Sequence, residues 1–182
     1  GAEVAVLFLD VSKYADFVRS EDPGTVMQTL NQIFADLAPI LAAQEVQVNP
    51  YLSDGFMAVA RGRRGPQSAV AAGLQLLAAV REFNRPRVVL RWPELQVRVG
   101  VATGYAHLGN VGTAGKVDFT AVGATTNLAA RLMTDARRDA GCICDKTAER
   151  VGAEFADKHV TPRHADLKGF GMQTVWDVSS AK

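Results

Sequence analysis

Two runs of apolar, β-prone residues each abut an aspartate: FLDVSKY around Asp10, and YLSDGFMAV around Asp54. Val4 to Leu9 and Phe56 to Ala60 are almost wholly apolar, so each run reads as a buried strand with a carboxylate at its lip. Such a carboxylate is costly to desolvate unless something positive sits on it. Either aspartate alone reads as a strand-end or turn residue. Two on neighbouring strands would repel each other unless a divalent cation lay between them. Hard carboxylate oxygens suit Mg²⁺ or Mn²⁺, ions that bring phosphate substrates with them.

The chain has 182 residues, 48% hydrophobic and 21% charged, enough for one compact domain with a substantial core. A net charge of +1 supplies no polybasic field, so nucleic acid is not an expected partner. No apolar stretch is long enough to span a bilayer, and no signal peptide is visible. Cys142 and Cys144, two apart on an expected strand, point to one face and are too aligned for an easy disulfide. They make a poor zinc site and read as buried thiols of a reducing, cytoplasmic compartment. Gly1-Ala2-Glu3 runs straight into a strand. The expectation is a single domain, 1–182, cut from a longer protein with an upstream regulatory domain that could carry a membrane anchor.

Strand 1 is expected at Glu3–Leu9. Asp22-Pro23-Gly24-Thr25 has capping chemistry, and Val26, Leu30, Ile33, Phe34, Leu37 and Leu41 follow at helical spacing, with Pro39 expected to kink the helix near its end. Glu45–Val48 and Phe56–Ala60 read as a hairpin. Arg61 to Pro66 reads as a solvated loop, and Ser68 to Phe83 as a second amphipathic helix. Leu95, Val97, Val99 and Val101 alternate as in a half-buried strand. Gly109, Gly112 and Gly115 read as hairpin residues with positive φ. Thr125 is expected to cap a third helix holding Asn127 to Arg138. The remainder reads as strand, short helix, strand, strand. His107, His159 and His164 show no metal-ligand or triad spacing. This mixture suggests an α+β sheet with helices on one face.

In this order, FLDVSKY, YLSDGFMAV, VRVGVATG, VDFTAVGATTNLAARL and DLKGFG resemble the class III nucleotidyl (adenylate/guanylate) cyclase catalytic domain over nearly the whole chain. The resemblance implies a ferredoxin-like, mixed or antiparallel sheet that works as a head-to-tail dimer, a homodimer or a pair with a related cyclase chain, with sites between chains. It implies a reaction converting ATP to cyclic AMP and pyrophosphate, with two Mg²⁺ or Mn²⁺ ions held by Asp10 and Asp54. It further implies that the main chain at Val11, Ser12, Lys13 and Tyr14 opens a helix facing the phosphates. Asn127 would orient the ribose and Arg131 would neutralise the α-phosphate; spaced four apart, they share a helix face. Lys168 would meet the terminal phosphates, with Lys116 a weaker candidate.

Base reading departs from the family pattern. Thr120 fits an adenylate cyclase, but Pro50 stands where the family has a lysine, and proline can neither donate a hydrogen bond nor carry charge. Relaxed purine selectivity, with GTP as a second substrate, is the expectation. Ser53 and Lys13 also replace family glycines. The alternative these departures favour is a weak or inactive cyclase-homology domain acting as a nucleotide-binding regulatory or dimerisation module. A diguanylate cyclase is disfavoured, because the segment around Asp54 lacks that family's paired glycines and acidic pair.

Overall fold

The computed structural model describes residues 1–12, 16, 18–19, 21–52, 55–155 and 158–179, with the backbone alone at 49–52 and 116–119. Elements follow in the order β1 (Ala2–Ser12), α1 (Pro23–Ala43), β2 (Gln47–Leu52), β3 (Gly55–Ala60), α2 (Gly65–Val89), β4 (Gln96–Thr113), β5 (Lys116–Val122) and α3 (Ala124–Asp135). Then come β6 (Gly141–Cys144), α4 (Asp145–Val151), a 3₁₀ turn (Gly152–Phe155), β7 (His159–Leu167) and β8 (Gly171–Ser179).

The strands order as β2-β3-β1-β4-β6-β8-β7, with β5 hydrogen-bonded to β4 beyond the main sheet. β1 lies antiparallel to both β3 and β4. The βαββαβ run from β1 to β4, with spatial order 2-3-1-4, is the ferredoxin-like core the sequence led us to expect. β6 pairs parallel to β4, which makes the whole sheet mixed.

The unbroken apolar run of β1 is explained by burial on both of its faces. Ala5, Leu7, Leu9 and Val11 enter one core cluster with the apolar stripes of α1 and α2. Val4, Val6 and Phe8 enter the other, with Ala129, Leu132 and Met133 of α3. The two long helices share one face, while α3 covers the opposite face, which corrects the expectation of helices on one face only. In α1 the buried positions are Val26, Leu30, Ile33, Leu37 and Leu41, and the helix runs past Pro39 to Ala43. Its start is fixed by Asp22, which accepts from the N–H groups of Gly24 (2.9 Å) and Thr25 (3.2 Å). The Thr25 hydroxyl and these two N–H groups hold the Asp22 carboxyl below its ordinary value.

Helix α2 starts earlier and ends later than its periodicity predicts, because packing carries it through Pro86. Buried Asn84 then ties it to the residue just before β4, donating to Leu95 O (2.7 Å) and accepting from Leu95 N–H (2.9 Å). No described helix is long and apolar enough to cross a membrane. Cys142 and Cys144 are free and buried.

Three local expectations are corrected. Thr125 does not cap α3; its hydroxyl donates to Tyr105 O at 2.7 Å, and the cap position is Gly123, at φ 144°. Helix α3 ends at Asp135, so Arg138 lies beyond it. The glycine-rich stretch forms the expected hairpin, β4 running on to pair with β5 and Gly115 taking φ 105° at the turn, but Gly109 is ordinary strand facing Thr120 and not a positive-φ residue.

Candidate active site

Asp10 lies near the end of β1, where the ladder sets it opposite Gly55 on one side and Arg98 on the other. The residue is buried, 8% exposed. Arg98 grips it with a two-pronged contact, Nε to Oδ1 at 2.9 Å and Nη2 to Oδ2 at 2.5 Å. A planar guanidinium matched to a carboxylate in this way is a strong, orienting pair. It supplies the positive partner that a carboxylate at the lip of a buried strand requires. Arg98 was not singled out from the sequence. Its signal was present in the alternation of β4, which puts residue 98 on the face opposite Val97 and Val99, but pairing it with Asp10 takes the register.

Gly55 explains how closely the strands meet here. A Cβ at this position would lie 2.5 Å from Leu9 O and 3.1 Å from Asp10 Cβ. Only glycine lets β3 approach β1 this closely, which brings the chain immediately after position 54 against Asp10. Asp54 itself lies outside the described residues, as do Lys13 and Tyr14. Among the described residues no group of three or more His, Cys, Asp or Glu gathers to hold an ion. Of the two carboxylates expected from the sequence, Asp10 and Asp54, the described residues include Asp10. An oxygen-only set of this kind, with a pinched glycine beside it, fits Mg²⁺ or Mn²⁺ better than a softer metal.

Val11 and Ser12 do not open a helix. Both continue β1, paired with Val97 and Gln96, and the Ser12 hydroxyl donates to Gln96 O at 3.1 Å. The Val11 side chain is in the core because strand alternation places it with Leu9.

Asn127 and Arg131 are exposed on α3, while Thr125, Ala129, Leu132 and Met133 form its buried side. At about 100° per residue, Asn127 and Arg131 fall about 160° and 200° round the helix from Ala129. Both therefore point directly away from their own sheet. The helix sits hard on β4: a Cβ at Gly100 would lie 2.2 Å from Met133 N and 2.5 Å from Ala129 O. Thr120, half-buried on β5, faces Gly109. Lys116 pairs with Thr113 near the hairpin tip, and its side chain is outside the described set. Lys168 is exposed in the turn between β7 and β8, flanked by Gly169 and Gly171 at φ 86° and 71°. Pro50 lies on β2, the edge strand, opposite Phe56 and next to a register shift.

Behind α3, Arg163 bridges Asp135 and Asp177, and the carboxylates raise its pKa further above the ordinary guanidinium value. Burial pushes the Cys142 thiol up to about 12.

Residues 2–178 match the family described as the Adenylate and Guanylate cyclase catalytic domain. An uncharacterised protein of Mycobacterium tuberculosis is 30% identical over 91% of this chain and 30% of its own length. Adenylate cyclase 1 of Rhizobium meliloti is 26% identical over 71% of this chain and 20% of its own length. The chain thus spans less than a third of these relatives. Among solved structures, the guanylyl cyclase Cya2 has a TM-score of 0.88 at 24% identity, covering 99% of this chain and 93% of that one. The adenylyl cyclase CyaB from P. aeruginosa also has a TM-score of 0.88, at 18% identity, covering 99% and 95%. The chain belongs to the adenylate and guanylate cyclase catalytic domain family, and is a class III nucleotide cyclase domain.

Proposed function

We propose that this domain converts ATP to cyclic AMP and pyrophosphate, with GTP accepted as a second substrate, at a site shared between two copies of the chain or with a related cyclase chain. The observation that carries this reading is the outward aim of Asn127 and Arg131. Side chains that leave their own sheet on the far side of α3 act on a ligand brought by another chain, while Asp10 sits at a strand end that such a ligand can reach.

Asp10 and Asp54 would hold two Mg²⁺ or Mn²⁺ ions, which when bound acidify the ribose 3′-hydroxyl and stabilise the pyrophosphate leaving group. Arg98 keeps the Asp10 carboxylate oriented. Were Asp10 to hold such an ion, the two Arg98 donors that now grip it would turn to a phosphate oxygen. Arg131 of the facing chain directs a permanently charged, planar donor set at the α-phosphate, where charge builds as the 3′-oxygen attacks. Asn127, one turn earlier on the same face, takes the ribose. Lys168 serves the terminal phosphates, with Lys116 as the weaker candidate. Val11 and Ser12 keep their pairing with β4, which leaves them no helical N–H groups to offer the phosphates.

Base choice falls to Thr120, because Pro50 offers no donor. A hydroxyl donates or accepts as required, so it meets the 6-amino group of adenine or the 6-oxo group of guanine. One neutral hydrogen bond is worth about 0.5–1.5 kcal/mol, roughly 2- to 13-fold, which sets the scale of purine discrimination.

The test is a product assay at high protein concentration with Mn²⁺, supplying ATP and GTP separately and following cyclic nucleotide and pyrophosphate. Cyclic AMP that vanishes in Asp10→Ala is the expected result. Mixing Asp54→Ala with Arg131→Ala protein should restore one intact site per mixed dimer. No cyclic product from either nucleotide, in folded dimeric protein, would refute the reading and leave a regulatory cyclase-homology domain.

A further inference from the structure

We propose that Arg163, on β7, is a positioning residue that sets where α3 presents Asn127 and Arg131. The inference rests on the cyclase reading above.

Helix α3 lies on a track of glycines. Gly100 admits the helix backbone at Ala129 and Met133, and Gly104 admits Thr125, whose Oγ1 would be 2.5 Å from a Cβ there. Where α3 crosses these glycines it comes close to β4, and no β4 side chain at those two positions stops it sliding along its axis. Fixed points are needed at its ends. At the start, the Thr125 hydroxyl donates to Tyr105 O. At the end, Arg163 Nη1 donates to Asp135 Oδ2 at 2.6 Å and Nη2 to Asp135 O at 2.8 Å. The same guanidinium is anchored from behind by its Nε, which donates to Asp177 Oδ2 on β8 at 2.9 Å. Arg163, Asp135 and Asp177 are all well shielded, at 19%, 32% and 13% side-chain exposure.

Two features mark this as more than a surface ion pair. An aspartate closing a helix opposes the helix dipole, whose negative end it shares, and the last turn of α3 has no basic residue of its own. Asp135 is tolerable there because Arg163 covers both its carboxylate and its carbonyl. In addition, Arg131 precedes Asp135 by four residues, about one helical turn, so a shift of the clamped end is passed directly to the phosphate-binding side chain.

A mixed dimer separates positioning from general stability. With Asp10→Ala in one chain and Arg131→Ala in the other, the single working site uses α3 of the first chain and Asp10 of the second. Arg163→Ala is then placed in either chain. In the Asp10→Ala chain, kcat should fall about 10- to 100-fold, the scale of a helix displaced by up to about 1 Å, with KM within about twofold. In the Arg131→Ala chain, whose α3 serves only the dead site, activity should stay within about twofold. Equal losses in both placements, or no loss in either, would overturn the proposal. If Arg163→Ala does not fold, Arg163→Lys is read the same way, since one ammonium cannot bridge Asp135 and Asp177 as a guanidinium fork does.

Amide hydrogen exchange gives a readout independent of activity. In Arg163→Lys, the last turn of α3 should exchange at least about tenfold faster while β1 is unchanged; unchanged exchange in α3 overturns the proposal. Absence of product from the unmutated protein defeats the cyclase reading instead, and the exchange result then stands for the clamp alone.

Discussion

Replacing Gly100 with alanine tests the seat of α3 most directly. The added Cβ would lie 2.2 Å from Met133 N, 2.5 Å from Ala129 O and 2.8 Å from Met133 Cα, all main-chain atoms that cannot rotate aside. Ordinary contact starts at 3.4 Å, so the helix must retreat by 1.2 Å, the difference between 3.4 and 2.2. Overpacking of this kind costs about 1–3 kcal/mol, and a clash with a helix backbone belongs at the upper end. For a chain of this size about 3 kcal/mol lowers Tm by about 6–12 °C. Activity should fall further than stability, because Asn127 and Arg131 ride on the displaced helix and a 1 Å error in placement costs about 100-fold. Thermal melts and the cyclase assay, run well below the variant's Tm, measure both. Gly109→Ala is the control, since nothing lies within 4 Å of its Cβ position and its φ is not positive. A Gly100→Ala protein with Tm within about 2 °C of the parent and undiminished activity would refute the packing of α3 on β4 described above.

Removing the forked partner of Asp10 with Arg98→Met should raise KM for the nucleotide about tenfold, the worth of a charge-assisted contact; an unchanged KM rejects a phosphate role for this arginine. Cys142 should resist iodoacetamide in the folded protein and react on unfolding, and fast labelling of the native chain would contradict its burial. Its folded pKa of about 12 lies above the 9.0 of a free thiol. Only the unfolded chain loses the proton between those values, so stability should fall as pH rises from 9 towards 12. The ratio of kcat/KM for ATP to that for GTP should lie within about tenfold, and both values should fall together by roughly 2- to 13-fold in Thr120→Val; a ratio above about 100-fold means that another donor reads the base.

The fold was legible where residues announce one environment. The apolar run of β1 and the 26-30-33-37-41 stripe of α1 each have a single packing solution, and both elements formed where periodicity placed them. Periodicity fell short where tertiary contact overrides local preference. Helix α2 runs through Pro86 because Asn84 and Arg87 lash its end to the approach to β4. The glycine-rich stretch is the hairpin it reads as, but Gly109 sits in ordinary strand geometry because β5 pairs along its whole length. Val11, a residue expected to begin a helix, is held in β1 by pairing with Val97.

The site was legible as a set of residue types and not as an assembly. Asp10 showed itself by chemistry, a charge at the end of an apolar strand, but its partner Arg98 is far away in sequence and is joined to it only by the β1–β4 register. Asn127 and Arg131 were marked by the family resemblance, and their spacing puts two side chains on one face without saying what that face meets. The answer depends on the opposite side of the same helix. Ala129 and Leu132 are fully buried, and glycines at 100 and 104 draw the backbone down onto β4, so the remaining side can only face outward. On the reading proposed above, such a helix serves another chain's strand-end carboxylate rather than its own. Dimerisation is thus a requirement of the site chemistry proposed here, written into small residues that carry no chemistry themselves.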